Sequence, residues 1–303
     1  MLGADVCLEG FGEQQQQSYT KEQEEHMLQE AVQAAEEADI VVLAIGEDRL
    51  QSGEATSNAN IRIPEVQEAL LDRIAEVNQN IVVVLFSGRP LDIREINKKA
   101  KAILQVWLPG TEGARAIADT LFGKYNPSGK LPMSFPYCVG QVPVHYNEYS
   151  TGRPHVEGKD KDRFRSKYLD IPNEPLYPFG YGLSYTTFEV SDIHLNRTWM
   201  DTSGQIEAEV TVKNTGNCTG TETLQLYIHD IAASVVRPVR ELKDFKKVTL
   251  RPGEEKKVVF TITEQQLLFL TENGIYESEA GEFEIFIGKD SSTDNKASFV
   301  LKK

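Results

Sequence analysis

The sequence predicts an α/β region followed by an all-β region, and two contrasts along the chain carry that reading. Up to about residue 123, short apolar runs alternate with amphipathic stretches, the pattern of strands and helices taking turns. Beyond about residue 189 the period drops to two, with apolar and polar residues alternating between turn signals. With 303 residues and 40% hydrophobic side chains, the chain is long enough to build two cores.

The first helix is announced by Thr20 and Gln23, spaced as a capping box, before Met27, Leu28, Ala31, Val32 and Ala35 at helical intervals. "DIVVLAI" (39–45), "NIVVVLF" (80–86) and "KAILQVW" (101–107) are nearly continuous apolar runs rich in β-branched residues, the mark of parallel strands buried on both faces. Between the first two, Pro64 suits a first helical position, with Val66, Leu70, Ile74 and Val77 following at helical spacing. A third helix is expected from about Glu112 to Phe122, turning Ala114, Ile117, Ala118 and Leu121 inward and stopping at Gly123. The fold class expected here is a mostly parallel sheet with flanking helices.

From about residue 124 to 188 the chain is dense in Pro, Gly, Asn and aromatics and lacks periodicity, as in "NPSGKLPMSFP" and "PLYPFGYGLSYTTF", which reads as a connector. Then "IEAEVTVKN", "TLQLYIHD", "KKVVFTIT" and "EFEIFIG" alternate strictly, separated by "NTGNCTG", "RPGEE" and "ENG". Several such strands in a short span predict a β-sandwich. Without paired cysteines and a central tryptophan it is of the fibronectin type III variety rather than the antibody one.

A net charge of −14 argues against nucleic acid and anionic membrane surfaces, both of which need basic patches, and favours a small neutral substrate or a protein partner. No run approaches the roughly 18 apolar residues of a membrane span. "MLGADVCLEG" lacks the basic region and apolar core of a secretory signal. Cys7, Cys138 and Cys218 show no CxxC spacing, so no metal site, cofactor or disulfide framework is expected, and the odd count suits a reducing, cytoplasmic setting.

One connection is out of proportion. "GEDRLQSGEATSNANIRIP" (46–64) joins the first strand to the second helix, where about 2–6 residues normally suffice. It carries Glu47, Asp48 and Glu54 at the carboxyl end of a parallel strand, the edge at which open α/β sheets bind ligands. Two further strand ends on that edge, "SGRP" (87–90) and "LPGTEG" (108–113), add Arg89 and Glu112. Plain solvation also explains a charged loop, and Arg89 could equally pair with a neighbouring carboxylate or cap a turn. The glycines match neither a P-loop nor a dinucleotide fingerprint, no serine lies in a GxSxG context, and His145 and His155 are too far apart for a metal pair on one helix turn. What remains is acid/base chemistry on a neutral substrate such as a sugar.

"AIGED", "SGEATSNANIRIPEVQEALL", "VVVLFSGRPL", "AILQVWLPGTEGARAIADTLFGKYNPSGKLPMSFP", "YNEYSTGRP" and "PLYPFGYGLSYTTFEVSDI" occur in this order along the chain. Together they resemble successive landmarks of family 3 glycoside hydrolases, in particular bacterial β-glucosidases of the periplasmic type. The resemblance implies a parent enzyme of barrel, α/β sandwich and fibronectin type III-like domain that hydrolyses β-D-glucosides with retention of configuration. A barrel aspartate is then the nucleophile, and the glutamate of the family's "SGEA.SR" loop, matched here by Glu54, is the acid/base. Glu47, Asp48, Ser57 and Asn58 on the same loop stand as substrate-binding candidates.

Two departures qualify the resemblance. The chain is expected to begin partway into the α/β sandwich, with 1–136 a partial sandwich, 137–188 an ordered or partly ordered linker and 189–303 the fibronectin-like domain. The N-terminal barrel and its nucleophile are expected to be missing, and the chain alone to be inactive. The second departure is Ser57-Asn58 where the family has Ser-Arg, a lost cation for which Asn60 or Arg62 would have to compensate. The alternative reading is a non-catalytic binding or oligomerisation module, forming a homodimer.

Overall fold

A computed structural model of the chain describes residues 19–48, 50–155, 158 and 162–303. Helix α1 (Lys21–Glu36) starts where the sequence places it: Gln23 N donates to Thr20 Oγ1 at 3.3 Å, and Thr20 N donates to Gln23 Oε1 at 2.9 Å. These reciprocal bonds satisfy two of the amide donors that a helix start leaves open. Helix α2 (Glu65–Val77) buries Leu70, Leu71 and Ile74, while Pro64 is its N-cap rather than its first residue. Asn78 ties the two helices together, donating to Ala35 O at 2.9 Å and Ala38 O at 2.7 Å.

Strands β1 (Val41–Gly46), β2 (Ile81–Phe86) and β3 (Ala102–Trp107) form a parallel sheet in the order β1-β2-β3, as the apolar runs predict. Leu43, Ile45, Ile81, Val83 and Leu85 share one face and are buried. On the opposite face Val42 is 52% exposed and Ala44 is exposed too. Burial on both faces therefore holds for much of central β2 and fails for edge strand β1, because an unbroken apolar run does not say how many faces are covered. Helix α3 (Arg94–Lys99) was not anticipated; it is short and buries only Ile96. Helix α4 (Gly113–Leu121) exposes Ala114, leaves Ile117, Ala118 and Leu121 half-buried, and is followed by Gly123 at φ +71.

The chain divides into two compact units, Met1–Arg115 and Ala116–Lys303. In the second unit, the described residues of 124–187 carry little regular structure beyond a 3-10 turn at Val139–Gln141, yet they are held by specific bonds. The buried Gln141 amide accepts from Tyr137 N at 2.7 Å and donates to the carbonyls of Asn173 and Glu174 at 3.0 and 3.1 Å. Tyr146 stacks on Phe179 with ring centroids 4.3 Å apart and meets Tyr227 edge-on at 5.7 Å.

The β-sandwich follows. One sheet contains β4 (Phe188–Val190), β5 (His194–Leu195), β7 (Gln205–Asn214) and β10 (Glu255–Thr263), with β4, β5 and β10 all pairing with β7. The other runs β6-β14-β13-β8-β9, built from β6 (Trp199–Asp201), β8 (Gly220–Asp230), β9 (Glu241–Leu250), β13 (Gly281–Gly288) and β14 (Lys296–Lys302). A one-turn helix, α5 (Glu264–Leu267), and the small hairpin of β11 (Phe269–Leu270) with β12 (Tyr276–Glu277) link β10 to β13. Ile206, Ala208, Val210 and Val212 alternate inward along β7 and meet Leu224, Leu226, Phe260, Phe283 and Ile285 in a single core. On its other side β8 buries Thr223, Gln225 and Tyr227, with Gln225 Nε2 donating to Gly180 O at 3.1 Å.

Candidate active site

The parallel register sets Gly46 beside Phe86, so the loops leaving β1 and β2 emerge at one edge of the sheet. Gly46 ends β1 at φ +140, and a Cβ there would lie 1.8 Å from Phe86 O, so only glycine lets the strand turn away this close to its neighbour. Its peptide is gripped from α2: Gly46 N donates to Gln67 Oε1 at 2.8 Å and Gln67 Nε2 donates to Gly46 O at 3.1 Å. At its far end the loop is pinned by buried Ile61 and Ile63, with Asp92 N donating to Ile61 O at 2.8 Å.

The candidate residues fall into three groups. Glu47 points inward: its side chain is 4% exposed, Oε1 lies 2.9 Å from Arg89 Nε in an ion pair out of line for a hydrogen bond, and Oε2 accepts from Gly88 N at 3.1 Å. Asp48 is exposed and serves the local turn, its Oδ1 accepting from Leu50 N at 2.6 Å. Glu54, Ser57 and Asn58 are exposed on the outer part of the loop. Among the described residues Glu54 has no hydrogen-bond or ion-pair partner, whereas Asn58 Nδ2 donates to Gln51 O at 3.1 Å.

Glu54 stands between Gly53 at φ +126 and Ala55 at φ +60, two left-handed positions in a tight turn that Thr56 Oγ1 closes by donating to Gly53 O at 2.6 Å. Glu112 is exposed before α4. Arg62 is committed to Glu68, with Nε 2.7 Å from Oε1, and Asn60 Oδ1 accepts from Arg62 N at 3.2 Å.

The sequence left Arg89 open to pairing with a neighbouring carboxylate, and that carboxylate is Glu47; its bonds to the loop carbonyls, and the parts played by Gln67 and Ser52, were not anticipated. A Cβ on Gly88 would fall 1.7 Å from Ser52 Oγ, so the two strand-end loops are in direct contact there. The short "SGRP" segment at a strand end was the available signal; which neighbouring loop it touches depends on a register that sequence does not supply.

No group of three or more His, Cys, Asp or Glu suited to a metal ion occurs among the described residues, and no helix among them is long and apolar enough to cross a membrane. Among the described residues the site presents Glu54 exposed on a loop anchored at both ends, with Asp48 and Glu112 exposed on the same edge of the sheet.

The "Glycosyl hydrolase family 3 C-terminal domain" matches residues 5–185, and the "Fibronectin type III-like domain" matches residues 222–291. A "Periplasmic beta-glucosidase" of Salmonella typhimurium is 48% identical over 275 residues, covering 91% of this chain and 36% of that protein. A "Beta-xylosidase" of Formosa agariphila is 40% identical, covering 88% of this chain and 36% of its own length. The crystal structure of a β-glucosidase from Listeria innocua in complex with glucose superposes with a TM-score of 0.88 at 40% identity, over 94% of this chain and 39% of that one. The chain thus spans about a third of the length of the relatives it matches. It belongs to glycosyl hydrolase family 3, as a member of the C-terminal domain family with a fibronectin type III-like domain.

Proposed function

We propose that this chain is the C-terminal part of a retaining β-glucosidase and contributes Glu54 as the acid/base, the nucleophilic carboxylate coming from a barrel domain outside residues 1–303. The observation that carries the reading is the display of Glu54. It projects from the carboxyl edge of a parallel sheet, exposed and without a partner among the described residues, on a loop anchored at both ends. A general acid must reach the leaving oxygen of a substrate, so its carboxyl cannot be consumed by a local ion pair in the way Glu47 is.

In the reaction this implies, the barrel carboxylate attacks the anomeric carbon while Glu54 gives its proton to the glycosidic oxygen, and the bond to the leaving group breaks. Glu54, now a carboxylate, takes a proton from water as that water displaces the enzyme carboxylate, and both groups return to their starting state. The two carboxyl groups must stand about 5–5.5 Å apart, a spacing one chain cannot supply with Glu54 alone. Residues 1–136 act in this scheme as the sandwich part, 137–188 as the connector and 189–303 as the fibronectin-like support. Glucosides are the substrate of choice because glucosidase names predominate among the relatives and the Listeria protein is seen with glucose. A periplasmic relative at 48% identity supports export of the assembled enzyme, where the cysteine count alone had pointed to the cytoplasm.

The test is complementation. The chain alone should not turn over p-nitrophenyl β-glucoside, and mixing it with a family 3 barrel domain should produce activity, higher on the glucoside than on the β-xyloside. Glu54→Gln should lower kcat/KM of the mixture by about 10²–10⁴-fold on unactivated glucosides. Undiminished activity of that variant would refute the assignment.

A further inference from the structure

We propose that Arg89 is the positioning residue of the acid/base loop, acting with Glu47 as a clamp that closes the neck beneath Glu54; this rests on Glu54 being the acid/base. A single nitrogen, Arg89 Nη2, donates to two backbone carbonyls of the loop, Gln51 O at 2.6 Å and Thr56 O at 3.1 Å. Between those anchor points lie only Ser52, Gly53, Glu54 and Ala55. The guanidinium is itself fixed from below by Glu47, whose other carboxylate oxygen is held by Gly88 N at 3.1 Å. Ser52 rests on Gly88 with no room for a Cβ between them. Glu47 follows the first strand and Arg89 the second, so the clamp adds the rigidity of the sheet edge to a tip whose own closing bond is that of Thr56 Oγ1 to Gly53 O.

That tip needs external support. Gly53 at φ +126 and Ala55 at φ +60 flank Glu54, and glycine in particular loses much conformational freedom when held in one geometry. A general acid misplaced by about 1 Å can cost about 10²-fold in rate. Arginine suits the task because its planar fork can meet a carboxylate on one side and two carbonyls on another; a lysine ammonium, as a point charge on a flexible stem, cannot hold all three directions. The same contacts give Glu47 a structural partner in place of a substrate.

Two readouts test the proposal, the first independent of catalysis. In the intact chain, a protease cleaving after glutamate reads the opening of the tip at the Glu54–Ala55 bond. Arg89→Lys should raise cleavage there by about tenfold, since cleavage of a transiently opened segment tracks its opening equilibrium. Cleavage at glutamates elsewhere should not change.

The second readout uses the complemented enzyme. Arg89→Lys should lower kcat at least about tenfold on a glucoside with a poor leaving group, with KM little altered. It should leave kcat/KM of the 2,4-dinitrophenyl glucoside, which reports only the glycosylation step and whose leaving group needs no proton, nearly intact. Glu47→Gln, which keeps the side-chain shape, serves as the second variant and should move both readouts in the same direction.

An unchanged Glu54–Ala55 cleavage rate overturns the clamp. Faster cleavage with equal losses on both glucosides, or with none on either, overturns the positioning role. If Glu54→Gln itself shows no such leaving-group dependence, the acid/base reading fails, while the cleavage rates still report on the clamp.

Discussion

Asn214 shows how much one side chain can carry. It is fully buried at the end of β7; its Oδ1 accepts from Thr186 Oγ1 at 2.6 Å and Gly216 N at 3.0 Å, and its Nδ2 donates to Cys218 O at 2.8 Å and Leu250 O at 3.0 Å. All four bonds go to buried or half-buried groups that lose their partner if the amide is removed. Leaving a buried polar group unpaired costs about 1–3 kcal/mol, so Asn214→Ala should lower the unfolding free energy by about 2–4 kcal/mol, read from the urea midpoint. Sequence placed Asn214 beside a turn signal and nothing more, because two of its four partners lie 28 and 36 residues away. Glu54 was legible for the opposite reason: its loop is conspicuous by length and by charge, and the "SGEA" motif surrounds it. Glu47, equally conspicuous in sequence, turns into the protein because Arg89 waits for it on the adjacent strand end.

At the scale of elements, hydrophobic period identified the three parallel strands and the longest alternating strands, and missed those whose pattern is diluted. Helix α3 has six residues and a single buried side chain, too few to show a period. Strand β9 carries Lys243, Lys246 and Lys247 and stands at the end of its sheet, where charge on an outer strand discourages pairing with other chains. Sequence also overstated burial in β1, and that asymmetry can be measured. Leu85 is fully buried on the face shared with Ile45, whereas Val42 is half exposed on the other. Leu85→Ala should destabilise the protein by about 2–5 kcal/mol, and Val42→Thr should stay within about 0.5 kcal/mol of the parent. Thermal or urea unfolding followed by circular dichroism distinguishes the two; equal losses would mean that the open face is covered in solution.

For the whole molecule, the chain carries a net charge of −14 and divides into two compact units, with Glu54 exposed at a sheet edge in the first. The fibronectin-like unit has the larger and more regular core, including Leu224, Phe260 and Phe283 at full burial. Its strands were legible where one face is wet and the other dry, as along β7, whereas β8 is buried on both; the aromatic packing of Tyr146 and Phe179 on Tyr227 was not legible, because 124–187 has no period to read.

The central claim, that Glu54 gives and takes the proton in a retaining hydrolysis, has a direct chemical signature. With Glu54→Ala in the complemented enzyme and 2,4-dinitrophenyl β-glucoside as substrate, the glycosyl-enzyme should form and then stall for want of a base. Added azide, which needs no deprotonation, should displace the enzyme carboxylate at the anomeric carbon, restore turnover and give β-glucosyl azide, identifiable by NMR. Failure of azide to raise the rate, or formation of the α-azide, would contradict the account.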